Sequence, residues 1–515
     1  MANRLQYEDS PYLRQHKDDL VDWWPFCKEA LEKAKVQNKA IFISVGYDSS
    51  YWCGKMQEDV FLDAASAAIL NESFISIKVD REEHPELDKY YQEVYALLNN
   101  SKGGWPNSVF CTPQNKPFFA RTYMSALSVE GSNEGMGFKE IANIIATKIK
   151  EQDTKLLENA QEVDRFLKKI THPKEATHLS EEFYKTFVLQ AKNNFDTKYA
   201  GFLQKPKFPH ATTLSTLLKI ATLYKSDEAK SMFIQTLNAM SRGGFYDLSK
   251  GGFYRYAQDD AWLVPHFEKT LYDNALLCSV YANAYLAFGD ESHLNVAKAT
   301  ANFWHTFMSE DNLFYSKSYA KNESKEDLYI DKQVQTSWSS LMIHALFELG
   351  SIDSTYKERA LKNLEALLSN LYKNTQLYHI TLINKEAKVE AFLEDYAFIS
   401  RALLSAYKST HNELYLIHAQ RFTNKALELF YEKGVWNFSV GEFATKADVS
   451  DNTYTSAVSV MVEALLLLSD YLNDEKYKHF AFKTLEYNSY ELGRKPLLMP
   501  HMLTQMLHYL QFKSF

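Results

Sequence analysis

The chain has 515 residues, more than a single hydrophobic core usually supports, so we expect at least two domains. Hydrophobic residues make up 46% of the sequence and aromatic residues 14%, a composition that excludes a disordered chain. The formal net charge is −8 and no block of lysine or arginine occurs, which argues against a nucleic-acid partner.

Three further patterns predict a cytoplasmic protein without membrane association. The N-terminal residues lack the apolar core of a signal peptide. No uncharged apolar run reaches membrane-spanning length, and even 457–468 is interrupted by Glu463. The four cysteines are widely spaced and form no disulfide framework, as is typical of a reducing compartment.

Residues 1–170 alternate helix and strand signals. The apolar runs 40–45 and 74–79 predict strands, and the helical patterns between them are typical of β-α-β units with a parallel sheet. Two closer runs, 108–111 and 117–121, predict a terminal hairpin. This order predicts an α/β domain of the thioredoxin type. The predicted helices of this domain cover 26–35, 50–70, 87–98 and 140–170.

The segment Ser50-Tyr51-Trp52-Cys53 follows the first predicted strand and opens a helix. A thioredoxin-type site places two cysteines with C-x-x-C spacing at such a junction, where the helix N-terminus lowers the pKa of the first thiol. Here Ser50 takes the first position and only Cys53 remains. Two-thiol exchange within this motif is therefore excluded, and we expect Cys53 to be partly buried.

From 180 to 515 the periodicity is helical, after a predicted linker at 171–179. Twelve predicted helices form pairs joined alternately by short and long connections. An open solenoid would also pair helices, but the sequence shows no repeat, so we predict six hairpins closed into an (α/α)6 toroid. The predicted helices lie near 180–193, 211–224, 227–241, 267–288, 291–308, 334–350, 354–373, 391–409, 412–432, 454–472, 474–490 and 499–512.

Eight short segments spread along the chain occur in the order and spacing of one protein family. They are 10–13 (S-P-Y-L), 21–23 (V-D-W), 78–83 (K-V-D-R-E-E), 103–106 (G-G-W-P), 117–119 (P-F-F), 206–209 (P-K-F-P), 262–269 (W-L-V-P-H-F-E-K) and 393–397 (L-E-D-Y-A). The chain resembles the spermatogenesis-associated protein 20 type family. The resemblance implies a thioredoxin-like domain, with Pro106 as the cis-proline beside the degenerate motif, followed by a toroid akin to six-hairpin glycosidases and N-acylglucosamine 2-epimerases. Composition alone would favour a trans proline in a surface turn.

The segment 251–273 holds the densest set of polar side chains. If Pro265 starts a helix, His266 and Asp273 share one helix face, and His266 with Glu268 can carry out acid–base chemistry in a funnel. The alternative is that His266 and Glu268 cap the helix and pair with a neighbouring cation. We predict His266 and Glu268 to be catalytic, and the predicted substrate-binding residues here are Arg255, Tyr256, Trp262 (a plate for a sugar ring) and Asp273.

A second cluster, Glu394-Asp395-Tyr396, starts another predicted inner helix. Its two acids either satisfy first-turn amides or line the same funnel as Glu268, where paired carboxylates could act on a sugar bond. We predict Glu394 and Asp395 to be catalytic and Tyr396 to bind substrate. Trp338 is a further binding candidate, with core packing as the alternative.

Two departures from the family pattern count against full activity. Lys317-Ser318-Tyr319-Ala320-Lys321-Asn322 replaces an acidic, glycine-rich run, and Thr455-Ser456-Ala457-Val458-Ser459 replaces P-S-G-N-S. We expect both segments to face the toroid mouth. No side-chain set has zinc spacing and no phosphate loop occurs, so we predict neither metal nor cofactor.

Three functions remain in competition. The first is a toroid that binds or modifies a small carbohydrate, either glycosidase-like or epimerase-like, with a thioredoxin-like accessory domain. The second is a non-catalytic interaction protein in which both sites are degenerate. The third, a thiol-redox or protein-quality-control role, is disfavoured by Ser50. We also predict that the two domains act as one unit, because the linker is short.

Overall fold

A computed structural model describes residues 3–128, 135–167, 176–320 and 328–511. The chain divides into two compact units. The first comprises Met1–His172 with Gly441–Thr445, and the second comprises Pro173–Val440 with Lys446–Phe515. The greater part of the predicted linker, 171–175, lies outside the described residues.

The first unit has a five-stranded sheet in the order β1-β3-β2-β4-β5. Strands β1, β3 and β2 run parallel, whereas β4 and β5 form an antiparallel hairpin at one edge. This is the thioredoxin-like α/β fold that the order of elements predicted. The strands are β1 (Trp23–Pro25), β2 (Ala40–Gly46), β3 (Phe74–Asp80), β4 (Asn107–Cys111) and β5 (Pro117–Arg121). The helices are α1 (Pro11–Gln15), α2 (Lys28–Gln37), α3 (Tyr51–Met56), α4 (Ala64–Ser73), α5 (Pro85–Asn99), α6 (Phe138–Lys150) and α7 (Thr154–Leu167).

The central strands β2 and β3 are buried along their whole length. Alternate side chains point to opposite faces of the sheet, so Phe42 joins an aromatic cluster on one face while Ile41 and Ile43 join an aliphatic cluster on the other. Both faces are therefore covered, which explains why the sequence shows continuous apolar runs here.

Two predicted helices of this unit are broken in the structure. The predicted helix 50–70 divides into α3, a π-helical turn at Gln57–Phe61, and α4, which begins where the Asp63 side chain accepts a hydrogen bond from the Ser66 amide. The predicted tail 140–170 is two helices, α6 and α7, as far as residue 167, and 168–170 lie outside the described residues. The short strand β1 was not predicted, because three residues give too little periodicity.

The second unit is an (α/α)6 toroid. Each inner helix packs against the next, and the last packs against the first, so the ring closes. The inner helices are α9 (Ala211–Leu223), α11 (Leu271–Phe288), α13 (Thr336–Gly350), α15 (Leu393–Thr410), α17 (Ala457–Leu472) and α19 (Pro500–Gln511). The outer helices are α8 (Phe183–Asn194), α10 (Asp227–Arg242), α12 (Glu291–Phe307), α14 (Ser354–Leu371), α16 (Glu413–Phe430) and α18 (Glu475–Arg494).

Burial explains the division between the rings. Most residues of α11, α13, α15 and α17 are buried, because both the outer ring and the neighbouring inner helices cover them. Short connections such as that between α11 and α12 combine a left-handed Gly289 with the N-cap Asp290. All inner helices begin at the opposite end, which receives the long connections before α11, α13, α15 and α17 and the short one before α19, and we call this end the mouth.

The long connections at the mouth contain short strands that the sequence did not predict. They are β6 (Glu268–Thr270), β7 (Ser309–Glu310), β8 (Leu313–Phe314), β9 (Lys317–Ala320), β10 (Leu328–Asp331), β11 (Gln333–Gln335), β12 (Tyr372–Lys373), β13 (Gln376–Leu382), β14 (Lys388–Glu390), β15 (Tyr431–Glu432) and β16 (Val435–Trp436). Within the described ranges, we find no helix long and apolar enough to cross a membrane.

Candidate functional site

A cavity of about 430 Å³ opens at the mouth of the toroid. Its polar wall includes Arg255 and Asp273 from the segment that the sequence singled out, together with Asp451 and Thr453 from the connection before α17. A cavity of this size at helix ends suits a small ligand. Two of the predicted site residues therefore line one cavity.

Asp273 lies in the first turn of α11, which begins after the N-cap Thr270. Its Oδ2 accepts a hydrogen bond from Thr270 Oγ1 at 2.6 Å, and the residue is 7% exposed. Burial, reinforced by the charge of Glu268, raises the pKa of Asp273 to about 7. A cavity-lining carboxyl of this kind can hold a proton at neutral pH and give it to a ligand.

The pKa of Glu268, unlike that of Asp273, is lowered. Arg255 Nη1 lies 2.9 Å from Glu268 Oε2 and His266 Nε2 lies 3.6 Å from the same oxygen. Burial opposes ionisation, but Arg255 and His266 hold the pKa of Glu268 well below its usual range. Glu268 is therefore a buried, ionised carboxylate that positions Arg255, which corrects its prediction as an acid–base group.

The predicted helical register of this segment is wrong. Residues 268–270 form β6, paired with β9, and α11 begins only at Leu271. His266 precedes the strand, so it shares no helix face with Asp273. The ring of His266 instead stacks on the ring of Tyr256, with centroids 4.6 Å apart. The Tyr256 ring in turn contacts the Phe208 ring, and the distance between these two centroids is 5.1 Å. Glu268 forms an ion pair with a neighbouring cation, Arg255, and this pairing was the alternative to catalysis in the sequence analysis.

Trp262 is not a plate for a sugar ring, because it is completely buried. Its Nε1–H donates to the Ala200 carbonyl at 3.2 Å, and its ring packs on Phe245. Phe208, by contrast, is 39% exposed and lines the mouth cavity. The sequence signal was present in the segment P-K-F-P at 206–209, but nothing in it distinguishes an exposed from a buried aromatic.

Glu394 and Asp395 lie in the first turn of α15, also at the mouth, and have different roles. Asp395 accepts hydrogen bonds from the Phe392 and Ser337 amides and contacts His379 Nδ1 at 2.9 Å, so it caps the helix start. This agrees with the structural alternative for Asp395 rather than with catalysis. Glu394 accepts from Tyr454 Oη at 2.9 Å, and burial next to Asp395 raises the pKa of Glu394 to about 7.

Aromatic rings lie between Glu394 and the helix start at Asp273. Tyr454, which bonds Glu394, lies 5.1 Å from Tyr272 between ring centroids, and Tyr272 contacts Trp338 at 4.7 Å. Trp338 is 7% exposed, so packing dominates its environment. Tyr396 is buried against Phe422 and Phe430 of α16 and does not belong to the mouth, which corrects its prediction as a binding residue.

The two departures from the family pattern have structural roles. Lys317 is buried in β9, with its Nζ 3.9 Å from Asp331, and its charge lowers the pKa of Glu268. Ser456 caps α17 through its Oγ, which accepts from the Ser459 amide. Lys321 and Asn322, the end of the first departing segment, lie outside the described residues.

His379, Glu394 and Asp395 also offer ligand atoms within 4.8 Å of one another. Asp395 is already committed to two backbone amides and to His379, and Glu394 is committed to Tyr454. The cluster is therefore satisfied by protein groups alone.

In the first unit, the degenerate motif has the geometry of a helix cap. Ser50 Oγ accepts a hydrogen bond from the Cys53 amide at 3.3 Å, and Cys53 is 2% exposed. Burial raises the pKa of the Cys53 thiol. The Trp105–Pro106 bond is cis, as the family resemblance implied, and Trp52 is 51% exposed.

Comparison with known proteins agrees with this two-part architecture. Residues 2–168 match the family model Thioredox_DsbH, described as a protein of unknown function, DUF255. The chain is 38% identical to spermatogenesis-associated protein 20 of Rattus norvegicus over 315 residues, which cover 59% of this chain and 39% of that protein. It is 29% identical to the uncharacterized protein B0495.5 of Caenorhabditis elegans, and the alignment covers 97% of this chain and 85% of that protein. The chain thus spans about two fifths of the length of the rat relative.

Solved structures resemble the toroid. A cellobiose 2-epimerase from Spirochaeta thermophila superposes with a TM-score of 0.54 at 12% identity, covering 65% of this chain and 96% of that one. A D-mannose isomerase superposes with a TM-score of 0.52 at 12% identity, covering 66% of this chain and 100% of that one. At such identities the likeness shows the fold alone.

Proposed function

Since this chain is similar to spermatogenesis-associated protein 20, with a thioredoxin-like first domain and an epimerase-like toroid, we propose that the toroid binds a small carbohydrate at its mouth and transfers protons on it. The observation that carries the proposal is Asp273, a cavity-lining carboxyl with a pKa of about 7 beside the ionised pair of Arg255 and Glu268. A proton donor poised near neutral pH next to a fixed cation is what acid–base chemistry on a polar ligand requires.

The reaction we propose is epimerisation or isomerisation of an open-chain sugar. In this proposal an ionised carboxylate of the mouth cavity takes the proton from the carbon next to the carbonyl group, and Asp451, the second carboxyl that lines this cavity, is the candidate. The electron pair of that C–H bond forms a carbon–carbon double bond, the π electrons of the carbonyl group move onto its oxygen, and this oxygen takes the proton of Asp273, which gives an enediol. Return of the proton to the original carbon on its other face gives the epimer, and return to the former carbonyl carbon gives the ketose. In each case the hydroxyl group that becomes the new carbonyl gives its proton back to Asp273. Arg255 orients sugar hydroxyls, and Phe208 provides an apolar contact for the ring or chain.

The neighbours in structure support this choice of ligand class, because two of them are named a cellobiose 2-epimerase and a D-mannose isomerase. The glycosidase-like alternative receives less support. Both reactions need one protonated and one ionised carboxyl, but a glycosidase needs them on either side of a glycosidic bond, and Glu268, the carboxylate next to Asp273, is committed to Arg255.

A non-catalytic interaction role is the second candidate, and it is favoured by the first unit. There the segment that opens α3 has a serine, Ser50, three residues before its single cysteine, and Tyr51 and Trp52 are 73% and 51% exposed. A thiol-redox role is opposed by the buried Cys53.

Proton exchange tests the catalytic proposal. The full-length protein is incubated in D₂O with D-mannose, D-glucose, D-fructose or cellobiose, and deuterium entry at the carbon next to the carbonyl is followed by NMR. We expect exchange with the wild type and a loss of about 100-fold or more in Asp273→Asn. The matched control is Asp227→Asn, an exposed carboxyl in the first turn of α10. Absence of exchange with every sugar, or equal rates in both variants, would contradict the proposal.

A further inference from the structure

A second cavity, of about 450 Å³, lies along the axis of the toroid and is lined by side chains from all six inner helices. A neighbouring cavity of about 540 Å³ continues towards the end with the short connections. The two share six lining residues, Asn283, Leu286, His344, Glu348, Arg401 and Glu463. We call this combined space the axial cavity. None of the sequence-predicted site residues lines it.

One polar cluster of the axial cavity centres on Glu463 of α17. Its Oε2 lies 3.5 Å from Arg401 Nη1 of α15 and 2.8 Å from His501 Nε2 of α19. Burial opposes ionisation, but these two partners hold the pKa of Glu463 well below its usual range. Glu463 is therefore an ionised acceptor held between two donors.

A second polar cluster centres on Glu348 of α13. Its Oε1 accepts from Asn283 Nδ2 at 2.9 Å, and Ser279 Oγ donates to its Oε2. His344 Nε2 lies 3.7 Å from the same Glu348 Oε1, while burial, followed by the charge of Arg401, lowers the pKa of His344 to about 4. His344 is therefore neutral at physiological pH, and the two clusters together present carboxylates, an amide, hydroxyls and imidazoles.

Arg401 lies between the two clusters, and its Nε–H group is a hydrogen-bond donor that has no acceptor among the described residues. Its side chain is 5% exposed, and the Nε–H group itself is buried. A buried donor without an acceptor is rare in folded proteins and marks a place where an oxygen from outside the chain would be favoured.

We propose that the axial cavity binds a neutral polyhydroxylated molecule of monosaccharide size, with Arg401 Nε–H donating to one of its hydroxyl oxygens. A hydroxyl group can accept from Arg401 Nε–H, and it can also donate to the remaining lone pairs of the Glu463 and Glu348 carboxylates. An anion would meet these two carboxylates, and a cation would meet Arg401, so charge selects a neutral ligand. The site adjoins the mouth cavity, with which it shares Thr212 and Leu276, but its polar groups are different, and the inference rests on the proposed function only for the ligand class.

Counting binding sites tests the proposal. Equilibrium dialysis of the full-length protein with radiolabelled D-mannose gives the number of sites per chain, and D-gluconate serves as the anionic competitor of similar size. Ser215 of α9 lines the axial cavity and is exposed, so Ser215→Phe fills the space without breaking a polar contact, and Ser215→Ala is its matched control. Arg401→Lys keeps the charge but removes the Nε–H.

We expect one D-mannose site to disappear in Ser215→Phe and to persist in Ser215→Ala and in Asp273→Asn. In Arg401→Lys this site should weaken about tenfold or more, and D-gluconate should compete poorly. Equal site numbers in the wild type and Ser215→Phe, or D-gluconate binding as tightly as D-mannose, would overturn the proposal. A single site lost only in Asp273→Asn would support the mouth and overturn the axial site. A single site lost only in Ser215→Phe would support the axial site against the mouth.

Discussion

Arg255 Nη1 lies 2.9 Å from Oε2 of Glu268. This ion pair gives the two neighbouring carboxyls of the mouth, Glu268 and Asp273, different charge states. Glu268 remains ionised because Arg255 and His266 face it, whereas the pKa of Asp273 rises to about 7 because burial and the charge of Glu268 disfavour a second anion. Division of two acids into one charged and one protonated group is the usual basis for assigning their roles.

The pH dependence of the protein should report Asp273. Its pKa is about 7 in the folded chain and about 3.9 in the unfolded chain, so the folded state holds an extra proton between these values. Stability due to this group is therefore present below about pH 4 and is lost as pH rises towards 7. Proton-transfer activity that needs the acid form should fall above pH 7. We expect Asp273→Asn to lower the Tm difference between pH 5 and pH 8, and an unchanged difference would contradict this assignment.

Removing the Glu268 carboxylate should destabilise the toroid strongly. Glu268→Gln removes the carboxylate that faces the partly buried Arg255, and breaking such a buried pair costs about 3–5 kcal/mol. Denaturant unfolding followed by circular dichroism measures the loss. The control is Glu428→Gln, which breaks the exposed pair with Lys425 and should leave the transition unchanged. Equal behaviour of both variants would mean that Glu268 is not a structural partner of Arg255.

Truncation of Trp262 should lower the stability of the protein, whereas truncation of Phe208 should weaken ligand binding. Trp262→Ala removes a fully buried ring and should cost about 3–5 kcal/mol of stability. Phe208→Ala removes a half-exposed ring of the mouth cavity and should weaken sugar binding with little change in Tm. Thermal melts and isothermal titration with D-mannose distinguish the two effects, and a large loss of Tm in Phe208→Ala would show that its role is packing.

The first unit should lack dithiol oxidoreductase activity. Ser50 cannot form a disulfide, and Cys53 is 2% exposed, so insulin reduction by the wild type should equal that of Cys53→Ser. Iodoacetamide followed by mass spectrometry should label the half-buried Cys27 before Cys53, Cys111 and Cys278, which are buried. Rapid labelling of Cys53, or reduction at the rate of a thioredoxin, would refute this expectation.

The sequence by itself determined the fold class of both units. Continuous apolar runs such as 40–45 become the buried strands of a sheet covered on both faces, and helical periodicity with alternating connection lengths gave all twelve helices of the toroid. These patterns are local, so they can be read along the chain. They also predicted Glu394 at the start of an inner helix, and the closed ring brings the starts of all inner helices to one end.

Only the tertiary structure decided what each side chain does there. Whether Trp262 or Phe208 is exposed depends on which segment packs over it, and whether Glu268 or Asp273 keeps its proton depends on cations that arrive from other segments. The axial cluster of Arg401, Glu463 and His501 comes from three helices, and in the sequence each is an isolated polar residue in an apolar pattern. Burial and charge pairing are properties of neighbours in space, and sequence spacing does not specify those neighbours.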